Sequence, residues 1–177
     1  MGPIQKIAFG GGCHWCTEAI FKSLKGVRSV EQGFVASEGE NDTFSEAVIV
    51  SYDKAEIRLE DLIAIHVHTH KSTVDHSMRT KYRSAVYTFT ASDRKKSAHI
   101  LIALQKDFKE HLITKVLAFR TFKPSHKMFH DYYYSDPEKP FCTSYIVPKL
   151  QVLLDRFSTQ VDDRVLRSNR YSESGLK

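Results

Sequence analysis

The stretch GGGCHWC, Gly10 to Cys16, sets two cysteines three positions apart, after a run of three glycines and around the chain's one tryptophan. A thiol reacts as its thiolate. At a helix start it meets unpaired backbone N–H groups and the positive end of the helix dipole, and both favour the charged form. Cys13 is therefore the candidate nucleophile, with Cys16 one turn on. In a regular helix, Cβ atoms at i and i+3 lie about 5–6 Å apart, wider than the ~3.8 Å of a disulfide. A Cys13 to Cys16 bridge thus needs Cys13 outside the helix proper, at its cap. Two other readings of the same residues stand beside this one. The cysteines can be small buried hydrophobes, or Cys13, His14, Cys16 and Cys142 can supply sulfur and nitrogen to zinc. His126 and His130 would share a helix face and could complete such a set. The chain lacks the second closely spaced pair and the HExxH pattern of convincing zinc sites, so no metal is expected. His66, His68 and His70 alternate along a helix and cannot converge on one ion.

The elements that must position these residues follow from periodicity. Gln5 to Phe9 is strand-like, and the glycines after it allow a tight turn. Trp15, Ala19, Ile20 and Leu24 recur at helical spacing from Cys13 to the stop at Gly26. Val27 to Val35 and Glu46 to Tyr52 read as strands around a polar turn. Leu59 to His70 is a second helix, and KSTVDHSMRTKY a long loop of the kind that is often functional. Ser84 to Thr90 is a strand, Ser92 opens a helix with Ile100, Leu101 and Leu104 as its stripe, and Val116 to Phe122 is one further strand. Lys127 to Tyr134 is a short aromatic helix and SDPEKP a rigid turn. Leu150, Leu153, Leu154, Phe157 and Val161 mark a final amphipathic helix. The pattern predicts an α+β fold, a two-layer sandwich of a mixed or antiparallel sheet with helices around a ferredoxin-like core, plus a C-terminal helix.

The 177 residues suit one domain, expected over 1–165, with a flexible tail over 166–177. Hydrophobic and charged residues make up 41% and 27% of the chain, the balance of a folded soluble protein. The net charge of +5 is scattered, as in KKS, KDFK and RTFK, which argues against a nucleic-acid surface. The N-terminus lacks the pattern of a signal or transit peptide, and no apolar run reaches the roughly 20 residues of a membrane span. Cytoplasmic placement without a membrane is expected, and the three cysteines are too few for a disulfide scaffold.

GGCHWCTEAIFKSLKGVRSVEQGF resembles the A-class peptide methionine sulfoxide reductases, whose nucleophile motif reads GCFWGxE followed by a helix, a GV turn and a strand ending in GY. The likeness continues in order along residues 5 to 145. EAVIVSYD resembles the family's AEVVxVxYD, LEDLIAIHVHTHKST its LLxVFFxxHDPT, TKYRSAVY its TQYRSxIY, FHDYY its YHQxY, and DPEKPFC its NPxxYC. The resemblance implies reduction of methionine S-sulfoxide, free or in proteins, with no cofactor and with thioredoxin or a similar thiol as reductant.

Position by position, the resemblance makes Cys13 the nucleophile. Glu46 becomes the acid that gives a proton to the sulfoxide oxygen, held protonated by a partly apolar pocket. Read without it, Glu46 is a surface carboxylate at a strand edge. Tyr82 takes the place of a tyrosine that hydrogen-bonds the oxygen, and Trp15 of the tryptophan that packs the substrate methyl. His130 falls where a histidine helps order the site, and Cys142 near a C-terminal resolving cysteine, on a Pro-rich segment that could swing over the site. Cys16 remains open as resolver or relay. Four departures stand out. His14 replaces phenylalanine in the methyl pocket and makes that wall polar and titratable near neutral pH. Cys16 replaces glycine. Phe44, without a hydroxyl, stands near the place of a second tyrosine. Ser77 replaces an aspartate, with Asp75 two residues away. A general CxxC thiol-disulfide oxidoreductase, needing neither Glu46 nor Tyr82, and a zinc-binding module are the alternative functions.

Overall fold

The computed structural model describes residues 2–168. Its strands β1 (Ile4–Gly10), β2 (Val27–Ala36), β3 (Ser45–Asp53), β4 (Ala85–Thr88), β5 (Lys115–Ala118) and β6 (Thr121–Pro124) form one sheet in the order β5-β4-β1-β3-β2-β6. All pairs are antiparallel except β4 with β5. Helices α1 (His14–Lys22) and α2 (Leu59–Thr69) fall between strands, so that β1 to β4 follow a β-α-β-β-α-β order. α3 (Ala91–Leu104), α4 (Tyr132–Ser135), α5 (Val147–Phe157) and α6 (Asp163–Ser168) complete the chain. The mixed sheet with helices is the expected α+β architecture. Beyond Ser168, the tail expected over 166–177 lies outside the described residues. Among the described residues no helix is long and apolar enough to cross a membrane.

Alternation along the strands divides the apolar residues between two cores. On one face Ile7, Phe9, Val48, Val50 and Val86 pack under α1, α2 and α5, where Phe21 stacks on Phe9 at 4.6 Å between centroids. Burying an aromatic of that size contributes about 1.5–3 kcal/mol. On the other face Ala8, Val35, Ala47, Ile49, Ala85 and Tyr87 pack with Leu117, Phe119 and Phe122. Every residue of β3 is consequently buried.

The second core exists because the sheet is curled. The run expected as one strand, Val116 to Phe122, breaks at Phe119 and Arg120 into β5 and β6 at opposite edges. The Phe119 N–H bonds the Thr88 carbonyl at 2.9 Å and the Arg120 N–H the Ala36 carbonyl at 3.2 Å, so two consecutive residues join both edges. β6 can lie against β2 because residue 33 is glycine, where a Cβ would sit 2.2 Å from the Lys123 carbonyl oxygen.

Three further boundaries differ from the periodic reading. The last amphipathic helix ends at Phe157, and Val161 instead bridges Leu24. The aromatic helix expected over Lys127 to Tyr134 is a 3₁₀ turn, Lys127–Phe129, separated from α4 by Asp131 at φ 55°, a left-handed conformation that stops a helix. The strand expected to reach Thr90 ends at Thr88, because the Thr90 side chain accepts the Asp93 N–H at 3.0 Å and caps α3.

Candidate active site

The triple glycine at the end of β1 is held from both sides. His66, fully buried in α2, hydrogen-bonds the Gly10 carbonyl through Nε2 at 2.7 Å. Arg79 donates to the Gly11 carbonyl at 2.9 Å and to the carbonyls of Tyr82, Val74 and Lys71. This arginine, which sequence reasoning missed, fastens the long loop to the turn that presents Cys13.

Cys13 is the N-cap of α1, with φ −58° and ψ 127°, and its carbonyl accepts the N–H groups of Cys16 and Thr17. It stands outside the helix, as a bridge to Cys16 requires. Its thiol is lowered below the ordinary cysteine range, chiefly because the Cys16 thiol hydrogen-bonds to it. The Trp15 and Cys16 N–H groups help, while burial and the Glu46 charge oppose. Cys16 is buried and its thiol is pushed far up, through that hydrogen bond and through burial. Lys149 of α5, another residue the sequence did not flag, donates to the Thr69 carbonyl at 2.7 Å, and its charge partly offsets the rise at Cys16.

Cys142 is not on a free flap over the site. It opens a π-helical turn, Cys142–Ile146, leading into α5, and is wholly buried in the same core as Cys16. Burial raises its thiol, which donates weakly to the Asp136 carbonyl at 3.6 Å.

Glu46 is not a surface carboxylate: it is 6% exposed, in a strand with neighbours on both sides. Its surroundings are polar. Oε1 accepts the His14 backbone N–H at 3.3 Å and lies 3.3 Å from His14 Nε2, while Lys81 Nζ stands 3.8 Å from Oε2. Lys81 Nζ sits 5.0 Å from the centroid of the half-buried Tyr82 ring. Lys81 therefore links Tyr82 to Glu46. The signal for it was visible in TKYRS, where the family's TQYRS has a neutral glutamine.

His14 is buried against the edge of Phe34, with Nδ1 2.6 Å from the Gly33 carbonyl. Burial lowers its imidazole below the usual histidine range, against the pull of Gly33 and Glu46. Trp15 stacks on Tyr132 at 4.1 Å and on Phe129 at 5.3 Å, with Phe141 edge-on. Its buried Nε1 has no hydrogen-bond partner among the described residues. His130 donates from Nε2 to the Ser125 carbonyl at 3.0 Å, which braces the segment carrying Phe129. Glu18 of α1 is buried and accepts the Tyr132 N–H at 3.3 Å. Phe44, Asp75 and Ser77 are all exposed. His126 and His130 do not share a helix face, because the turn carrying His126 ends before His130. Among the described residues no three His, Cys, Asp or Glu side chains are grouped to hold a metal ion.

A cysteine whose thiolate is favoured, next to a buried carboxyl and close to a second thiol, is an arrangement that thiol-based redox chemistry can use. Comparison with known proteins places it more narrowly. The family model for peptide methionine sulfoxide reductase matches residues 5–161. The peptide methionine sulfoxide reductase MsrA of Erwinia tasmaniensis is 30% identical over 163 residues, 84% of this chain and 92% of that protein. Mxr1 of Saccharomyces cerevisiae in reduced form superposes with a TM-score of 0.71 at 20% identity, over 80% of this chain and 91% of that one. The same yeast protein in complex with Trx2 gives 0.57 at 21% identity, over 73% and 84%. The chain belongs to the peptide methionine sulfoxide reductase family.

Proposed function

We propose that this protein reduces methionine S-sulfoxide, free or within proteins, to methionine. The observation that carries the reading is the Cys13 thiol, lowered at the cap of α1 one residue from the backbone N–H that holds Glu46. A sulfoxide sulfur becomes electrophilic as its oxygen is protonated, so a thiolate and an acid are needed together. Cys13 attacks the sulfur and Glu46 gives a proton to the oxygen, with Tyr82 as a hydrogen-bond donor and Trp15 as an apolar wall for the methyl group. The sulfoxide sulfur gains two electrons and leaves as the thioether. Cys13 loses two and becomes a sulfenic acid.

The hydrogen bond between Cys16 and Cys13 favours Cys16 as the first resolving thiol. It attacks the sulfenic sulfur, a disulfide forms, and water leaves. Cys142, in the same core, then serves as a relay towards a thioredoxin-type reductant, in keeping with the yeast complex with Trx2. Three free thiols suit a reducing compartment such as the cytoplasm.

Mass spectrometry after one turnover without reductant tests this. One equivalent of methionine and a Cys13 to Cys16 disulfide are expected, and Cys16→Ser should leave a trappable sulfenic acid on Cys13. A Cys13 to Cys142 disulfide formed directly would reassign the resolver. Absence of methionine would overturn the function.

A further inference from the structure

His14 occupies the place where the family motif has phenylalanine, and its two ring nitrogens face different partners. A carbonyl oxygen only accepts, so Nδ1, 2.6 Å from the Gly33 oxygen, carries a proton. That leaves Nε2 facing Glu46 Oε1 at 3.3 Å. An unprotonated Nε2 and an ionised carboxylate would set lone pair against lone pair. The contact is attractive when one proton lies between them, on either atom. Three other groups bear on the pair. Lys81 stands on the far oxygen of Glu46, and His130 and Lys81 both oppose a positive charge on His14. Cys13 lies on the Glu46 side and interacts with its charge.

We propose that His14 is a positioning residue for the acid, holding with Glu46 the one shared proton that passes to the sulfoxide oxygen when Cys13 attacks. This rests on the function proposed above. The step balances: the sulfoxide, the Cys13 thiolate and the proton of the pair give the thioether and the Cys13 sulfenic acid, and the pair regains its proton from solvent. Two sites that can hold one proton lose it together at a higher pH than the more weakly basic of the two would alone. Phenylalanine at this position has no such second site.

The test compares pH profiles of kcat/KM for methionine S-sulfoxide in wild type, His14→Phe and His14→Asn. Asparagine retains an amide donor for the Gly33 carbonyl but has no titrating nitrogen. Both variants should reduce the sulfoxide more slowly, with the alkaline limb displaced to lower pH by about one unit, the scale of coupling between interacting sites. A structural role alone would lower the rate and leave the limb in place, and superimposable profiles would overturn the proposal. A second measurement needs no turnover. Nitrogen NMR of the His14 ring in the reduced protein should show its titration displaced to lower pH by Glu46→Gln, which removes the charge that supports the imidazolium. An unmoved titration would equally overturn the pairing. Wild type that yields no methionine would refute the function, while the NMR comparison would still decide the shared proton.

Discussion

Replacing Cys16 with alanine removes the hydrogen bond that does most to lower the Cys13 thiol, while the Trp15 and Cys16 backbone N–H groups stay. Hydrogen bonds to charged groups contribute about 1.5–3 kcal/mol, and a thiol is a weak donor, so the lower end applies. At about 1.4 kcal/mol per pKa unit, the Cys13 thiol should rise by about one unit. The sign is fixed, because the lost donor stabilised only the thiolate. At a pH below both values, the thiolate fraction falls by up to about tenfold. The assay is the rate of Cys13 carbamidomethylation against pH, followed by peptide mass in the absence of substrate. Cys16→Ser keeps a hydroxyl donor in the same place and should stay close to wild type. The small cavity left by alanine costs about 1 kcal/mol, too little to unfold the domain. Overlapping profiles for Cys16→Ala and wild type, or an equal displacement in Cys16→Ser, would show that the hydrogen bond does not set the thiolate.

Glu46→Gln should separate the two halves of the chemistry. The Glu46 charge opposes the Cys13 thiolate and does not support it, so alkylation at a given pH is retained or faster, while sulfoxide reduction drops by about 100-fold or more, the usual contribution of a general acid. Reduction retained at the wild-type rate would remove Glu46 from the mechanism. Gly33→Ala places a methyl 2.2 Å from the Lys123 carbonyl and 2.7 Å from the Phe122 ring. It should cost about 1–3 kcal/mol by overpacking, read from urea denaturation, and an unchanged midpoint would refute the close contact at β6.

What local pattern could show, it showed. Alternation in Glu46 to Tyr52 and helical spacing from Cys13 to Leu24 gave β3 and α1 to within a residue or two. The same alternation carried an unused signal: Glu46 shares its parity with Val48 and Val50, which face α1, so the carboxyl could have been placed on the helix side and inside. The break between β5 and β6 had no such signal, because VLAFRTF is uninterrupted β-forming sequence. The division arises from the curl of the sheet, which is a property of all six strands. Val161 likewise continued the helical period and was claimed by Leu24 across the fold. The burial of Cys142 depends on how α5 packs on α1, which spacing alone does not carry.

Closing the sheet at β6 also builds the site. Gly33 admits β6 through its missing side chain, and its carbonyl fixes the His14 ring that meets Glu46. One position before it, the buried Gln32 accepts the Ser125 hydroxyl at 2.7 Å and donates to the Phe129 carbonyl at 2.9 Å. Ser125 and Phe129 follow β6 directly, and the Phe129 ring stacks on Trp15 beside the nucleophile. Two adjacent residues of β2 thus orient the partner of the acid on one side and the aromatic wall on the other. Loosening β6 would let both move together, so the geometry around Cys13 rests on a strand pairing distant from it in sequence.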